Sequence, residues 1–283
     1  MKGWLIYDAV GKQRNGWFIE QLCQAATKRG VDLSFVLASR LKFGVKDGKK
    51  ALFLDGTLTP FPDFVICRTI FPLLSEFLEA SGVRVFNSAQ VSRICNDKRA
   101  THLYFADCGV QMADTFFLNG LTVDASDFSY PAILKSVDGH GGKEVFWLSD
   151  PKDLAFHLQK MKGRDFLVQK PVTPGRDVRV YMLDGEILFS ALRTCETDFR
   201  SNYSLGGRIA PYKPCEEMKR VAGIVYEQLK PFYVGIDFTF DSDGRPLLNE
   251  VEDVVGSRML YQLTDLQLHE LYIEKLTGKL NSL

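Results

Sequence analysis

The chain has 283 residues, 46% hydrophobic and 25% charged, enough to bury a sizeable core and to build two or three subdomains. Lysine plus arginine equals aspartate plus glutamate, 35 each, so no global field draws the protein to nucleic acid or to an anionic membrane. The N-terminal apolar run is too short for a signal peptide, no window approaches the ~18 apolar residues of a membrane span, and six scattered cysteines read as free thiols, so the expected setting is cytoplasmic.

"GWLIYD" reads as a strand, and Asn15 to Arg29 then carries Phe18, Ile19, Leu22 and Ala26 at helical spacing before Gly30 stops it. "VDLSFVLA" and "DFVICR" are further strands, so the first ~90 residues alternate α and β as in a parallel sheet. "PLLSEFLEASG" is a helix and "VRVFN" a short strand. A second unit opens with the mostly helical "SAQVSRICNDKRATHLYFADCG". It runs on through "YPAILKSVDGHGGKEVFWL", two strands about a glycine-rich loop, then the helix "PKDLAFHLQKMKG" and the strand "DFLVQKPV". "RDVRVYMLDGEILFSALR" is a hairpin turning at Asp184-Gly185. An irregular stretch, a helix from Cys215 to about Leu229, a second hairpin and a C-terminal helix complete the chain. The expected layout is α/β followed by α+β, with units at 1–92, 93–172 and 173–283.

The second hairpin, "GIDFTFDSDGRPLLNEVEDVVG", carries acids inside apolar arms. A four-residue loop from Ser242 to Arg245 sets Asp237 opposite Glu250, with Glu252 on the same face. Like charges facing one another destabilise a sheet. A divalent cation resolves the conflict, since a small set of oxygen-only ligands suits Mg²⁺ that takes its other ligands from phosphates. The competing reading turns the three acids to solvent.

Three other places offer chemistry. In "LKSVDGHGGKEV", Gly139, Gly141 and Gly142 let backbone N–H groups approach an anion, with Lys135 on the strand before them and His140 at the loop tip; the same pattern also fits a plain hairpin loop. In "VQKPVTPGRDVRV", a strand-to-turn hinge exposes backbone groups that an adenine edge can use. Asp177 there can accept from ribose hydroxyls, and Arg179 can meet a phosphate. "ALRTCETDFRSNYSLGG" delivers Arg193, Arg200 and Asn202 to a strand end and loop, where arginines beside an acidic site neutralise phosphoryl charge.

The order of these signals, a helical lysine at Lys98, "ILK" with its glycine-rich loop, "QKPV", "DVRVYMLDGEIL", "DFRSN" with "GG", "GID" and "NEVED", resembles the ATP-grasp superfamily, and within it the RimK-like carboxylate–amine ligases. The resemblance implies an ATP-grasp fold, an N-terminal α/β domain followed by two α+β lobes clasping the nucleotide. It implies ATP with Mg²⁺ (Mn²⁺ an alternative), a carboxylate and an amine as substrates, and leaves a homo-oligomer open. By position it implies Lys98 and Lys135 on the phosphates, Gly139 to Gly142 as the lid, backbone groups of Lys170 and Val172 toward adenine, and Gln169 among the cofactor-binding residues. Asp177 would lie near the ribose, and Asp237, Glu250 and Glu252 on the metal. Arg193, Asn202, Arg179 and Arg200 would face the transferred phosphoryl group, and Arg68 the substrate. The chain departs from the family at Glu252, where asparagine is usual and where a cation such as Arg258 would balance the extra charge, and in "DVVG", which replaces a small-residue–proline–glycine loop. A kinase of the same architecture and a nucleotide-binding regulatory protein without turnover stay open beside the ligase.

Overall fold

The computed structural model describes residues 1–118, 126, 128–137, 139, 144–161, 164–196, 198–200 and 207–282. Strand β1 (Lys2–Tyr7), helix α1 (Ala9–Lys28) and strand β2 (Asp32–Leu37) open the chain. Helix α1 begins six residues before the Asn15 start expected from periodicity. The Asp8 side chain accepts from the Gly11 N–H at 2.6 Å and nucleates an earlier turn, and the two halves meet in a kink at Asn15.

Strands β3 (Leu41–Lys46), β4 (Lys49–Leu54) and β5 (Thr57–Leu58) form a small antiparallel meander that sequence reading passed over. Its two turns are Asp47-Gly48 and Asp55-Gly56, all four residues at positive φ, the same Asp-Gly signal that marks Asp184-Gly185. Strand β6 (Phe64–Cys67), helix α2 (Pro72–Glu79) and strand β7 (Arg84–Phe86) complete a parallel sheet ordered β2-β1-β6-β7.

Helices α3 (Ala89–Cys95) and α4 (Lys98–Phe105) lead to strands β8 (Thr115–Leu118), β9 (Ala132–Ser136) and β10 (Val145–Leu148), helix α5 (Pro151–Lys160) and strand β11 (Phe166–Gln169). These strands form an antiparallel sheet ordered β10-β9-β11-β8. Strands β12 (Arg176–Leu183), β13 (Glu186–Thr194) and β14 (Arg208–Pro211), helix α6 (Glu216–Leu229), and strands β15 (Tyr233–Phe240) and β16 (Pro246–Glu252) follow. Their antiparallel sheet is ordered β14-β13-β12-β15-β16. Helices α7 (Arg258–Leu263) and α8 (Leu268–Asn281) close the chain.

Alternation along this five-stranded sheet decides what each face does. Val178, Val180 and Met182 of β12 and Val234, Ile236 and Phe238 of β15 pack with Val221 and Val225 of α6 in one buried core. The intervening residues, Asp177 and Arg179 of β12 and Asp237 of β15, therefore point to the opposite face. A second core joins α1 and β1 to Tyr181, Tyr233 and α8, tying the C-terminal helix to the first sheet.

Candidate active site

The charged face of the five-stranded sheet is one wall of a cleft, and the sheet of β8–β11 supplies the other. The hairpin β15–β16 pairs Asp237 with Glu250 as expected, but by a different route. The strands close at Phe240 and Pro246 around a five-residue loop, one residue longer on one side than the sequence reading gave. A bulge then restores the register, because Phe238 pairs with Leu248 while Asp237 pairs with Glu250. Asn249 is the extra residue. The bulge lets Leu248 enter the core while Glu250 lines the cleft with Glu252 behind it on the same face of the sheet, which strict alternation from Leu248 would forbid. It also aims Asn249 across the cleft, where its Oδ1 accepts from Lys135 Nζ at 2.9 Å.

Asp237, Glu250 and Glu252 bring one carboxylate oxygen each within 4.8 Å of one another, and Asp237 is fully buried. The set is all oxygen, as a hard divalent cation requires. Neighbouring strands also deliver arginines to it. Arg179 stands opposite Asp237 in the sheet and grips both of its oxygens, from Nε at 2.7 Å and from a terminal nitrogen at 2.6 Å. The same terminal nitrogen reaches Glu252 at 2.7 Å, so the cation that balances Glu252 is Arg179; Arg258 lies exposed at the start of α7. Arg193 adds a 2.6 Å bond to Asp237 and pairs through Nε with Asp177. Burial opposes ionisation of Asp237, but Arg179 and Arg193 outweigh it and hold the carboxyl well below its usual range. Glu252 goes the other way: burial, with Asp237 and Glu250 beside it, outweighs Arg179 and pushes it up to about 7. Among the described residues Glu250 makes no ion pair, which leaves it the most available of the three to a metal.

On the opposite wall Lys135 lies on β9 and Lys98 opens α4. The Asp97 side chain caps that helix by accepting from the N–H groups of Arg99 and Ala100, which fixes where Lys98 sits. Lys98 Nζ donates to the carbonyls of Val137, at 3.4 Å, and of Gly139, so it holds the first part of the glycine-rich segment. Burial and the neighbouring charge of Lys98 lower Lys135 to about 8, against the pull of Glu250 and Asp177. His102, buried and near Lys135, falls to about 4 and is neutral.

Of the residues singled out in the sequence, Lys98, Lys135, Gly139, Gln169, Lys170, Val172, Asp177, Arg193, Arg200, Asp237 and Glu250 line the cleft. Arg179 and Glu252 stand directly behind, joined to it by their ion pairs. His140, Gly141, Gly142 and Asn202 lie outside the described residues. Several expected contacts change. One oxygen of Asp177, expected near a ribose, serves Arg193 instead. The Lys170 N–H donates to the Asp114 carbonyl at 2.9 Å, so of its backbone only the carbonyl can meet an adenine. Gln169 turns its amide to Thr115 Oγ1 at 2.9 Å and to the His102 ring. Arg200 folds back on Asp198. Arg68, expected near the substrate, is 5% exposed with its guanidinium turned inward on the backbone carbonyls of Asp253 and Val255.

Sequence reading missed Asn249, whose only signal was a polar residue before the acids. It also missed Trp147 and Phe199, which meet edge-to-face at 5.8 Å and line the cleft from its two sides.

A family model, the RimK-like ATP-grasp domain, matches residues 118–276, more than half of the chain. The chain belongs to the RimK-like ATP-grasp family. It is 32% identical over 259 residues to human N-acetylaspartylglutamate synthase A, covering 84% of this chain and 66% of that protein. It is 27% identical over 237 residues to alpha-aminoadipate–LysW ligase LysX of Saccharolobus solfataricus, covering 78% and 86%. The chain thus spans about two thirds of the length of the first of these relatives. The structure of the ATP-grasp ligase PsnB complexed with a minimal precursor superimposes with a TM-score of 0.73 over 98% of this chain and 99% of that one, at 16% identity, which shows a shared ATP-grasp fold. No helix among the described residues is long and apolar enough to cross a membrane.

Proposed function

We infer that the chain is an ATP-dependent ligase that joins a carboxylate to an amine through an acyl phosphate, releasing ADP and phosphate. The observation that carries this reading is the pairing, across one cleft, of a three-carboxylate cluster on β15 and β16 with Lys98, Lys135 and Gly139 on the facing lobe. The substrate carboxylate attacks the γ-phosphate of ATP, and both partners are anions. Lys98 and Lys135 offset that repulsion on one wall, and Arg193 and Arg200 on the other. Asp237, Glu250 and Glu252 fit a magnesium ion by donor chemistry, and such an ion would take up phosphate charge and orient the oxygens. The amine then displaces phosphate, a step that the walls of the cleft serve by keeping water from the acyl phosphate.

The names of the relatives, a synthase of an acetylated dipeptide and a ligase acting on LysW, favour an amino acid or a peptide as one substrate. The units 1–92, 93–172 and 173–283 are taken as the domains, supported by the confinement of each sheet to one of them.

The test incubates purified protein with Mg-ATP and pooled acids and amines, following phosphate release and new amide masses together. Glu250→Gln removes ATP turnover and leaves the folded protein intact. Phosphate found on the acceptor in place of an amide would make the protein a kinase, and no ADP release with any acceptor would end the enzyme reading.

A further inference from the structure

One residue past Glu252, β16 leaves the sheet, and alternation turns the next side chain away from the cleft. That side chain is Asp253, 3% exposed, a carboxylate with no role in the cleft it backs. Its Oδ1 accepts from Asn87 Nδ2 at 2.7 Å and its Oδ2 from Asn96 Nδ2 at 3.1 Å. Asn87 follows β7 of the first sheet, and its own Oδ1 accepts from the backbone N–H groups of Phe232 and Tyr233 at 2.6 and 3.0 Å, where β15 begins. Asn96 ends α3 two residues before Lys98. Arg68, just past β6, donates to the Asp253 carbonyl at 3.4 Å and to the Val255 carbonyl at 2.6 Å. Val255 in turn packs over Gly235, the partner of Glu252 in the sheet. A Cβ on Gly235 would stand 2.6 Å from a Val255 methyl, so the loop folds back where only glycine leaves room.

We propose that Asp253 is a positioning residue for the cation site, gripped by Arg68, Asn87 and Asn96 so that Glu250 and Glu252 stand at a set distance from Lys98 and Lys135. The proposal rests on the reading of the three carboxylates as a metal site. Filling a buried position needs no charge, and a buried carboxylate costs several kcal/mol unless its partners are well placed. Here the carboxylate's partners come from separate segments: Asn87 follows the first sheet and Asn96 ends the helix that precedes Lys98, while Arg68 holds the backbone carbonyls of Asp253 and Val255. Directional bonds from three sides fix the exit angle of β16 in a way that apolar contact does not.

The test compares the full-length wild type with Asp253→Asn, which keeps the shape but turns an amide N–H₂ against the amide of Asn96 or Asn87. ADP binding is measured by calorimetry across a Mg²⁺ titration and again in EDTA, with kcat and the metal half-saturation point taken where turnover is found. The expected result is about a 10-fold rise in the Mg²⁺ needed for half-maximal ADP binding, about 1.4 kcal/mol, with ADP affinity in EDTA unchanged and kcat restored at saturating metal. A wild-type metal requirement in folded Asp253→Asn, with only the melting point lowered, makes Asp253 merely structural and overturns the proposal. Wild-type protein that binds ADP no better with Mg²⁺ than in EDTA overturns the metal-site reading and the proposal together. Should Asp253→Asn fail to fold, Asn96→Ser removes one donor from a half-buried position, and the same two readouts decide.

Discussion

Asp237→Asn isolates the ion-pair network of the cleft. Asp237 is 1% exposed and accepts three bonds of 2.6–2.7 Å from two guanidinium groups that are themselves buried. The asparagine keeps one oxygen but turns an N–H₂ group against an arginine, leaving two buried guanidinium groups with one fewer counter-charge, Arg179 with Glu252 and Arg193 with Asp177. Breaking one side of such a pair costs about 3–5 kcal/mol. At roughly 2–4 °C per kcal/mol for a chain of this size, the unfolding midpoint falls by about 6–20 °C. The assay is thermal unfolding in EDTA without nucleotide, so that a lost metal ligand cannot contribute. Because the pair is shielded from solvent, raising the salt to 1 M leaves the difference in place. The sign with pH follows from the lowered pKa of the folded carboxyl. Its contribution is complete above the ordinary value of 3.8 and is lost only as the pH falls through the still lower folded value. A shift below about 1 kcal/mol, or one abolished by salt, would refute the argument that Asp237 anchors Arg179 and Arg193.

Further outcomes concern Lys135 and the groups that face it across the cleft. Lys135→Ala weakens nucleotide binding by roughly 10- to 100-fold, the worth of a charge-assisted bond of about 1.5–3 kcal/mol. Asn249→Ala, which only frees the Lys135 ammonium from its 2.9 Å partner, has a smaller effect; calorimetry with ADP ranks the two, and the reverse order would show that Asn249 meets the nucleotide itself. Because Lys135 sits near 8 and Glu252 near 7, Mg²⁺-dependent ADP affinity is greatest between those values. It falls above 8 as Lys135 loses its proton and below 7 as Glu252 gains one, and a flat profile from pH 6 to 9.5 would contradict both shifts.

Much of the site could be read along the chain because its signals are local. Acids set within apolar arms mark Asp237 and Glu250 as facing one another, although the structure reaches that pairing through a five-residue loop and a bulge, and an Asp-Gly pair marks the β12–β13 turn. The same Asp-Gly signal stands at residues 47–48 and 55–56, but the strands it joins are largely exposed and carry little apolar patterning to mark them. The early start of α1 was also written locally, in the reach of the Asp8 carboxylate to Gly11.

The order of residue types by itself pointed to the family and named half of the residues that line the cleft. Tertiary structure alone decided which charge meets which: Arg179 and not Arg258 on Glu252, Arg193 on Asp177, Arg68 turned inward on a loop of the third unit. A side chain's face follows from its position in a strand, but its partner follows from which strand or lobe lies beside it. The bulge at Asn249, which corrects a one-residue slip, depends on a core that must keep Leu248 and a cleft that must keep Glu250.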